Sequence, residues 1–393
     1  MTTTINNEQK KLNVPNLRFK EFQGEWEVES IKDVADFMGG GTPSSSNESF
    51  WQGTIPWVSS SDIVENDIKN ISISRYITEE AVAHSATKLC PAPSILIVSR
   101  VGVGKIALSK EAICTSQDFC NLVNIKVDPI FLTYCLSQIM KRKSMEVQGT
   151  SIKGITISEI QKISINIPSL QEQKKIGKIL SLLDERIATQ NKIIDKLQSL
   201  IKGIVDCTIL RKEKNAIVGD VCSISEQIKA EANIDDIITV RLHGNGVCKS
   251  SAENLQLGAT QYYRRRAGQL IYGKQNFHNG AIGIVPKSLD NGITSKDIPS
   301  FDIYDVNCNS AYLLAQLQSP QYYKPAEALT TGTGSKRLKE ETFLKMPIVL
   351  PNKREQDNIA ILIYRISINL DQAKKMLDLF SIQKQYLLRQ MFI

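Results

Sequence analysis

A chain of 393 residues is too long for one ordinary core, so two or three domains are expected. With 42% hydrophobic and 23% charged residues and no apolar run of about 18, it reads as a globular, cytoplasmic protein without a membrane span. Its net charge of +7 permits a polyanionic partner but is modest for a chain that neutralises a nucleic-acid backbone alone, so other subunits would have to bring charge of their own.

Residues 1–22 form a polar N-terminal segment without the apolar stretch of a secretory signal. A first head, residues 23–148, mixes short strands such as Ile95-Leu96-Ile97-Val98 with turn-rich loops. Residues 149–213 open on Gly149-Thr150-Ser151-Ile152-Lys153. Ile163, Ile165 and Ile167 then alternate up to Pro168, the pattern of a short, half-buried strand. Ser169 and Glu172 have the spacing of a capping box, in which the hydroxyl accepts from an early N–H and the carboxylate reaches back. Steps of four and three follow through Ile176, Leu180, Leu183, Ile187, Gln190, Ile194, Leu197, Ile201 and Ile204. A single polar residue in that series predicts a long helix with a heptad seam.

A second head, residues 214–331, has the same texture, with Leu270-Ile271-Tyr272 as a strand. Val218-Gly219-Asp220-Val221 matches Ile31-Lys32-Asp33-Val34, and Thr294-Ser295-Lys296-Asp297 matches Thr115-Ser116-Gln117-Asp118. Each head is expected to be an α+β domain. Residues 332–393 then restate residues 149–213 at a constant interval of 183. Gly332-Thr333-Gly334-Ser335-Lys336 comes first, then alternating Met346, Ile348 and Leu350, then Pro351 through Glu355-Gln356 answering Pro168 through Glu172-Gln173. Asn352 with Glu355 repeats the capping spacing. The second seam is Ile359, Ile363, Ile366, Leu370, Ala373, Leu377, Phe380, Lys384 and Leu387. Shared phase and polar flanks (Asp184, Glu185, Arg186; Asp371, Gln372, Lys374, Lys375) favour pairing of the two helices with each other; the alternative is that each packs on its own head. Such a helix would span about 55–60 Å at about 1.5 Å per residue, more than the roughly 34–36 Å of one DNA turn.

Catalytic patterns are missing from the sequence. Gly102-Val103-Gly104-Lys105 has the end of a phosphate-binding loop, but Ser99 stands where a glycine is required and Ile106 where a Ser or Thr would hold magnesium. A tight turn between strands accounts for it. Gly39-Gly40-Gly41-Thr42-Pro43 reads as a flexible loop, and His84, His243 and His278 have no metal-ligand spacing. Cys90, Cys114, Cys120, Cys135, Cys207, Cys222, Cys248 and Cys308 include no C-x-x-C pair and read as reduced thiols. There is no G-x-S-x-G, no H-E-x-x-H and no Asn/Asp-Pro-Pro-Tyr/Phe motif. No catalytic residue, metal or cofactor is therefore expected on this chain.

Trp26, Ile31, Asp33-Val34, Gly40-Gly41-Thr42-Pro43-Ser44, Trp51 and Ile55-Pro56-Trp57-Val58-Ser59-Ser60-Ser61-Asp62-Ile63 together resemble the first target-recognition domain of a type I restriction–modification specificity subunit. Ile167-Pro168 through Glu172-Gln173 and Lys175-Ile176 resemble that family's central conserved region, and the copy from Leu350 its distal one. The resemblance runs along essentially the whole chain, although the second head has no counterpart of Gly-Gly-Thr-Pro-Ser. It implies an α+β fold with two target-recognition domains joined by two long helices that pair as an antiparallel coiled coil. It also implies a non-catalytic, DNA-associated bacterial protein that reads a bipartite double-stranded site. Two methyltransferase subunits would use S-adenosylmethionine to methylate adenine N6, and restriction subunits would use ATP and magnesium. Other readings are an autonomous DNA-modifying enzyme, a coiled-coil scaffold with no DNA role, and an inactive subunit kept as a recombination cassette.

Base edges are read by Arg or Lys on guanine and by Asn or Gln on adenine, so loop residues of that chemistry are the candidates. In the first head these are Thr42, Ser44, Ser45, Ser46, Ser59, Ser60, Ser61, Asp62, Arg100, Lys105 and Gln117. In the second they are Arg241, His243, Arg264, Arg265, Arg266, Lys274, Gln275, Asn276, His278 and Asn279. The run Arg264-Arg265-Arg266 is expected to touch phosphate rather than bases.

Overall fold

The computed structural model describes residues 13–147, 154–250, 260–332 and 336–393. The first Gly-Thr-Ser-Ile-Lys segment and most of its second copy lie outside the described residues. The chain divides into two units, residues 1–189 with 376–393, and residues 190–375.

Among the described residues the first unit contains ten strands: β1 (Glu27–Ser30), β2 (Asp36–Gly39), β3 (Ile55–Val58), β4 (Arg75–Ile77), β5 (Leu89–Cys90), β6 (Ser94–Val98), β7 (Ile106–Ser109), β8 (Ile113–Thr115), β9 (Phe119–Val123) and β10 (Ser164–Ile167). An antiparallel sheet has the order β2-β9-β6-β7, and a mixed sheet has the order β4-β3-β8-β5, in which β3 and β8 run parallel. Strand β6 is buried on both faces because successive side chains point to opposite sides. Ile95 and Ile97 enter a core shared with helix α1 (Pro129–Val147), and Leu96 and Val98 enter a second core with Val58 and Ile113. The Gly102–Lys105 segment is the turn between β6 and β7, with φ of +89° at Gly102 and +103° at Gly104. A side chain at Gly104 would come within 2.9 Å of Ser144 Cβ, so glycine is required there twice over.

Among its described residues the second unit contains eleven: β11 (Ala216–Ile217), β12 (Cys222–Ile224), β13 (Lys229–Ala230), β14 (Ile238–Val240), β15 (Val247–Lys249), β16 (Tyr262–Arg264), β17 (Leu270–Tyr272), β18 (Ile282–Ile284), β19 (Ile293–Ser295), β20 (Ser300–Ile303) and β21 (Pro347–Ile348). The order β12-β20-β17-β18 reproduces the antiparallel sheet of the first head, and a parallel bridge from Ile237 to Ile293 takes the place of β3 beside β8.

The duplicated segment is the same junction in both units. Strand β10 pairs with β1, and β21 pairs with β11; β10 ends beside Pro168 and β21 three residues before Pro351, the prolines that precede the long helices. These helices are α2 (Leu170–Val205), 36 residues, and α4 (Lys353–Gln390), 38 residues. Gln173, buried, donates its amide to the Pro168 carbonyl at 2.8 Å and accepts the Asp128 N–H at the start of α1 at 2.8 Å. Gln356 does the same with Pro351, at 2.8 Å, and with the Asn309 N–H, at 2.9 Å, at the start of α3 (Ser310–Leu317). One side chain thereby ties each head helix to its long helix and leaves no buried amide unpaired.

Only half of each expected capping box forms. Ser169 Oγ accepts from Glu172 N at 3.4 Å, and Asn352 Oδ1 from Glu355 N at 3.0 Å. The carboxylates do not reach back. Glu172 is buried and gripped through both oxygens by Arg18, each at 2.8 Å, while Glu355 pairs with Lys212. A cation from the preceding segment offers each acid a stronger, charge-assisted partner than a backbone N–H.

All eighteen seam positions of α2 and α4 are buried or half-buried. In the first unit Asp184 meets Lys384 at 2.5 Å, and the Arg186 guanidinium lies 5.8 Å from the Phe380 ring centroid. In the second, Gln190 Nε2 donates to the Ala373 carbonyl at 3.1 Å, and Ile204 and Val205 pack with Ile359, Ala360 and Ile363. Numbering rises along α2 as it falls along α4, so within each unit the segments pair antiparallel. Among the described residues no helix is long and apolar enough to cross a membrane.

Candidate nucleic-acid interface

In the first head the candidates come together at one edge, on the loops that follow β2, β3, β6 and β8. Two tryptophans shape the first of these loops: Trp57 Nε1 donates to the Gly41 carbonyl at 2.9 Å and Trp51 Nε1 to the Ser44 carbonyl at 3.1 Å. Their rings meet edge to face with centroids 5.1 Å apart. Thr42, Ser44, Ser45 and Ser46 are left exposed, with Thr42 bonded to Gln117 across the edge and Ser44 to Ser46. The next loop closes on Asp62, whose Oδ2 accepts from Ser59 N at 2.7 Å and Ser59 Oγ at 2.9 Å, while Ser61 Oγ meets Ser59 Oγ at 2.9 Å. Lys105 Nζ crosses from the β6–β7 turn to the Ser60 carbonyl at 3.0 Å, and Arg100 lies 4.0 Å from Asp118.

Arg75 belongs to this edge although the sequence did not single it out. Register places it opposite Trp57 on β4, its guanidinium 4.5 Å from the indole centroid, and Nη2 donates to Ser59 Oγ at 2.6 Å and Asp62 Oδ2 at 2.5 Å. Burial alone would raise the Asp62 carboxyl, but the hydrogen bonds from Ser59 and Arg75 outweigh it and hold the group below the usual carboxylate range. The only linear signal for Arg75 is a lone basic residue in a short strand, which is too common to use.

In the second head the candidates separate. Arg241 and His243 lie on the loop after β14, where His243 N donates to the Asn279 carbonyl at 2.8 Å and Gly244 N to the Gly280 carbonyl at 2.9 Å. This brings them against Gln275, Asn276, His278 and Asn279, on the loop after β17. Gln275 and Asn276 are exposed, whereas Asn279 Nδ2 is shared between Asn276 Oδ1 at 3.2 Å and His278 Nε2 at 3.3 Å. Lys274 is largely taken up by an ion pair with Glu340 at 2.7 Å, its side chain 12% exposed. Exposed Lys296, after β19, and Arg337, 3.4 Å from Asp297, join the same edge and were missed.

The three arginines do not act as one cluster. Arg265 is fully buried and donates to Thr294 Oγ1 at 2.8 Å, Ser300 Oγ at 3.0 Å and the Ile298 carbonyl at 2.9 Å. Burial pushes its guanidinium down to about 10, so it stays charged at neutral pH but cannot reach a phosphate. Arg264 and Arg266 are exposed, at the opposite end of β17 from residues 274–279, and Arg266 lies 3.7 Å from Asp302. Alternation along an extended segment turns the middle residue inward and its neighbours out.

Among the described residues no group of three or more His, Cys, Asp or Glu side chains is placed to hold a metal ion. Burial pushes the thiols of Cys90 and Cys308 up to about 11 and those of Cys114, Cys120, Cys135 and Cys222 up to about 12, so all six stay protonated near neutral pH.

Comparison with known proteins adds to this geometry. A family model described as the type I restriction modification DNA specificity domain matches residues 23–199. The MjaIX specificity subunit of Methanocaldococcus jannaschii is 33% identical over 183 residues, 44% of this chain and 42% of the relative. The EcoR124I/EcoR124II specificity subunit of Escherichia coli is 34% identical over 197 residues, 47% of each chain. This chain thus spans less than half the length of those two relatives. The MjaVIII specificity subunit, also of M. jannaschii, is 22% identical over 378 residues, 87% of each chain. The crystal structure of a type I restriction–modification S subunit from M. genitalium shares the fold with a TM-score of 0.64 at 15% identity, over 97% of this chain and 99% of that one.

Proposed function

We propose that this chain is a member of the type I restriction–modification specificity-subunit family and reads a bipartite double-stranded DNA site on behalf of catalytic partners. The observation that carries this reading is the duplicated head. Each unit, taken by itself, holds the same four-stranded order and gathers loops of hydrogen-bonding and basic side chains at one edge. The side chains differ between the two edges, as two readers of different half-sites require.

Methyltransferase subunits are the partners this reading calls for, with S-adenosylmethionine held by them, and restriction subunits using ATP and magnesium join to cleave. Each unit's part of the long helices supports a partner surface of its own. Leu182, Leu379 and Ile382 in the first unit, and Ile193, Leu200 and Tyr364 in the second, are apolar and 41–65% exposed, turned away from the seam.

The test is co-expression with the modification subunit in a host lacking adenine methylation, followed by genome-wide mapping of N6-methyladenine. A single bipartite motif is expected. Methyl transfer by the isolated chain would favour an autonomous enzyme, and a stable complex that leaves the genome unmethylated would identify a defective reader.

A further inference from the structure

The two units place equivalent positions around equivalent clefts and fill them differently. In the first unit Lys384, the one charged residue of its seam and 8% exposed, meets Asp184 Oδ1 of α2 at 2.5 Å. Tyr134 of α1 donates its hydroxyl to Asp184 Oδ2 at 2.5 Å, and Lys384 Nζ also donates to the Asn66 carbonyl at 3.4 Å. The repeat interval of 183 carries Asp184 to Ser367 and relates Lys384 to Ile201. Tyr134 stands six residues after Asp128, whose N–H is held by Gln173; six residues after Asn309, held by Gln356, stands Ala315. Ile201, Ala315 and Ser367 line one cleft of about 590 Å³ in the second unit. Around the ionic cluster of the first unit the cleft is about 210 Å³.

We infer that Tyr134, Asp184 and Lys384 make helix pairing selective, admitting α2 against α4 and rejecting a second copy of either helix against itself. In α2 self-pairing, Ile201 of another copy would stand where Lys384 does, leaving the Asp184 carboxylate and Tyr134 hydroxyl buried without a cation. In α4 self-pairing, Lys384 would face Ser367. Breaking a buried ion pair by removing one partner is strongly unfavourable, whereas replacing the whole cluster by apolar groups is close to neutral. A polar residue at a single seam position specifies partner and register in this way. The unit-2 cleft carries no such restriction, so the burden of discrimination falls on the first unit. This selectivity concerns how a twice-repeated chain avoids assembling with its own copies, and it holds whatever the heads read.

Position 190 reports the outcome, because it faces 373 in the observed pairing and would face itself in α2 self-pairing. The full-length chain, with Cys207→Ser and Cys248→Ser to remove accessible thiols, carries Gln190→Cys and is oxidised after purification. Chains with the native cluster are expected to give little interchain disulfide. Chains with Tyr134→Ala, Asp184→Ser and Lys384→Ile, the second unit's own residues, are expected to give about tenfold more, a modest discrimination for a buried charge. An intrachain bond in Gln190→Cys/Ala373→Cys verifies that the helices still pair. If the triple replacement fails to form it, charge reversal decides: Asp184→Lys with Lys384→Asp keeps the native low yield, and Asp184→Lys alone raises it. Equal interchain yield with native and altered clusters overturns the inference.

Discussion

Gln190 faces Ala373, the residue that occupies its own place in the second repeat, and its side-chain amide donates to the Ala373 carbonyl at 3.1 Å. In an antiparallel pair only the position at the crossing point can meet its repeat-equivalent, and here position 190 meets 373.

That relationship makes the helices a candidate ruler. Deleting one heptad from each keeps the seam in phase while removing about 10 Å of helix at about 1.5 Å per residue. Methylome mapping should then show a spacer shorter by about three base pairs, at 3.4 Å per step. An active complex with an unchanged spacer would mean that the helices do not set it.

The duplicated glutamines should behave alike. Gln173→Ala strands the Asp128 N–H and the Pro168 carbonyl, and Gln356→Ala strands the Asn309 N–H and the Pro351 carbonyl. Each is expected to cost about 1–3 kcal/mol, the penalty for leaving buried polar groups unpaired. Denaturant or thermal unfolding reads this directly, and a change within error at both sites would refute the junction.

Arg265 and its neighbours should part company. Arg265→Ala empties a buried network with Thr294, Ser300 and Ile298 and should destabilise the protein by about 1–3 kcal/mol. Arg264→Ala with Arg266→Ala should leave stability within about 0.5 kcal/mol and the recognised motif unchanged. Arg241→Ala and Gln275→Ala, at the other end of the head, should weaken or relax the second half-site. A motif altered by the exposed arginines instead would move the reading edge to them.

Asp62 sets a pH window for the first edge. Its carboxyl is held below its unfolded value, so its contribution is present above about pH 4 and fades as pH falls through the lowered value. Tryptophan emission, sensitive to Arg75 over Trp57, should stay constant from about pH 8 to 5 and shift only in stronger acid. Asp62→Asn should impose the shifted emission at every pH. A transition near neutrality would show that another group orders the loop.

Much of this architecture is determined by sequence because its signals are local. A heptad needs only spacing along one helix, and Pro-x-x-x-Glu-Gln marks a helix start wherever it falls, so seam, junctions and duplication were legible before any packing was known. What tertiary structure decided is which partner each polar group finds. Glu172 has the spacing to cap its own helix, yet Arg18, 154 residues away, binds it more strongly. Arg75 reaches Asp62 only because β4 pairs with β3 in one register, and a one-residue slip would turn it to the other face. Arg265 is charged and consecutive with two exposed arginines, but the pleat turns it into the core. Periodicity is written in the chain, whereas the pairing of charges is settled by which strands and helices meet, a long-range outcome that no single segment encodes.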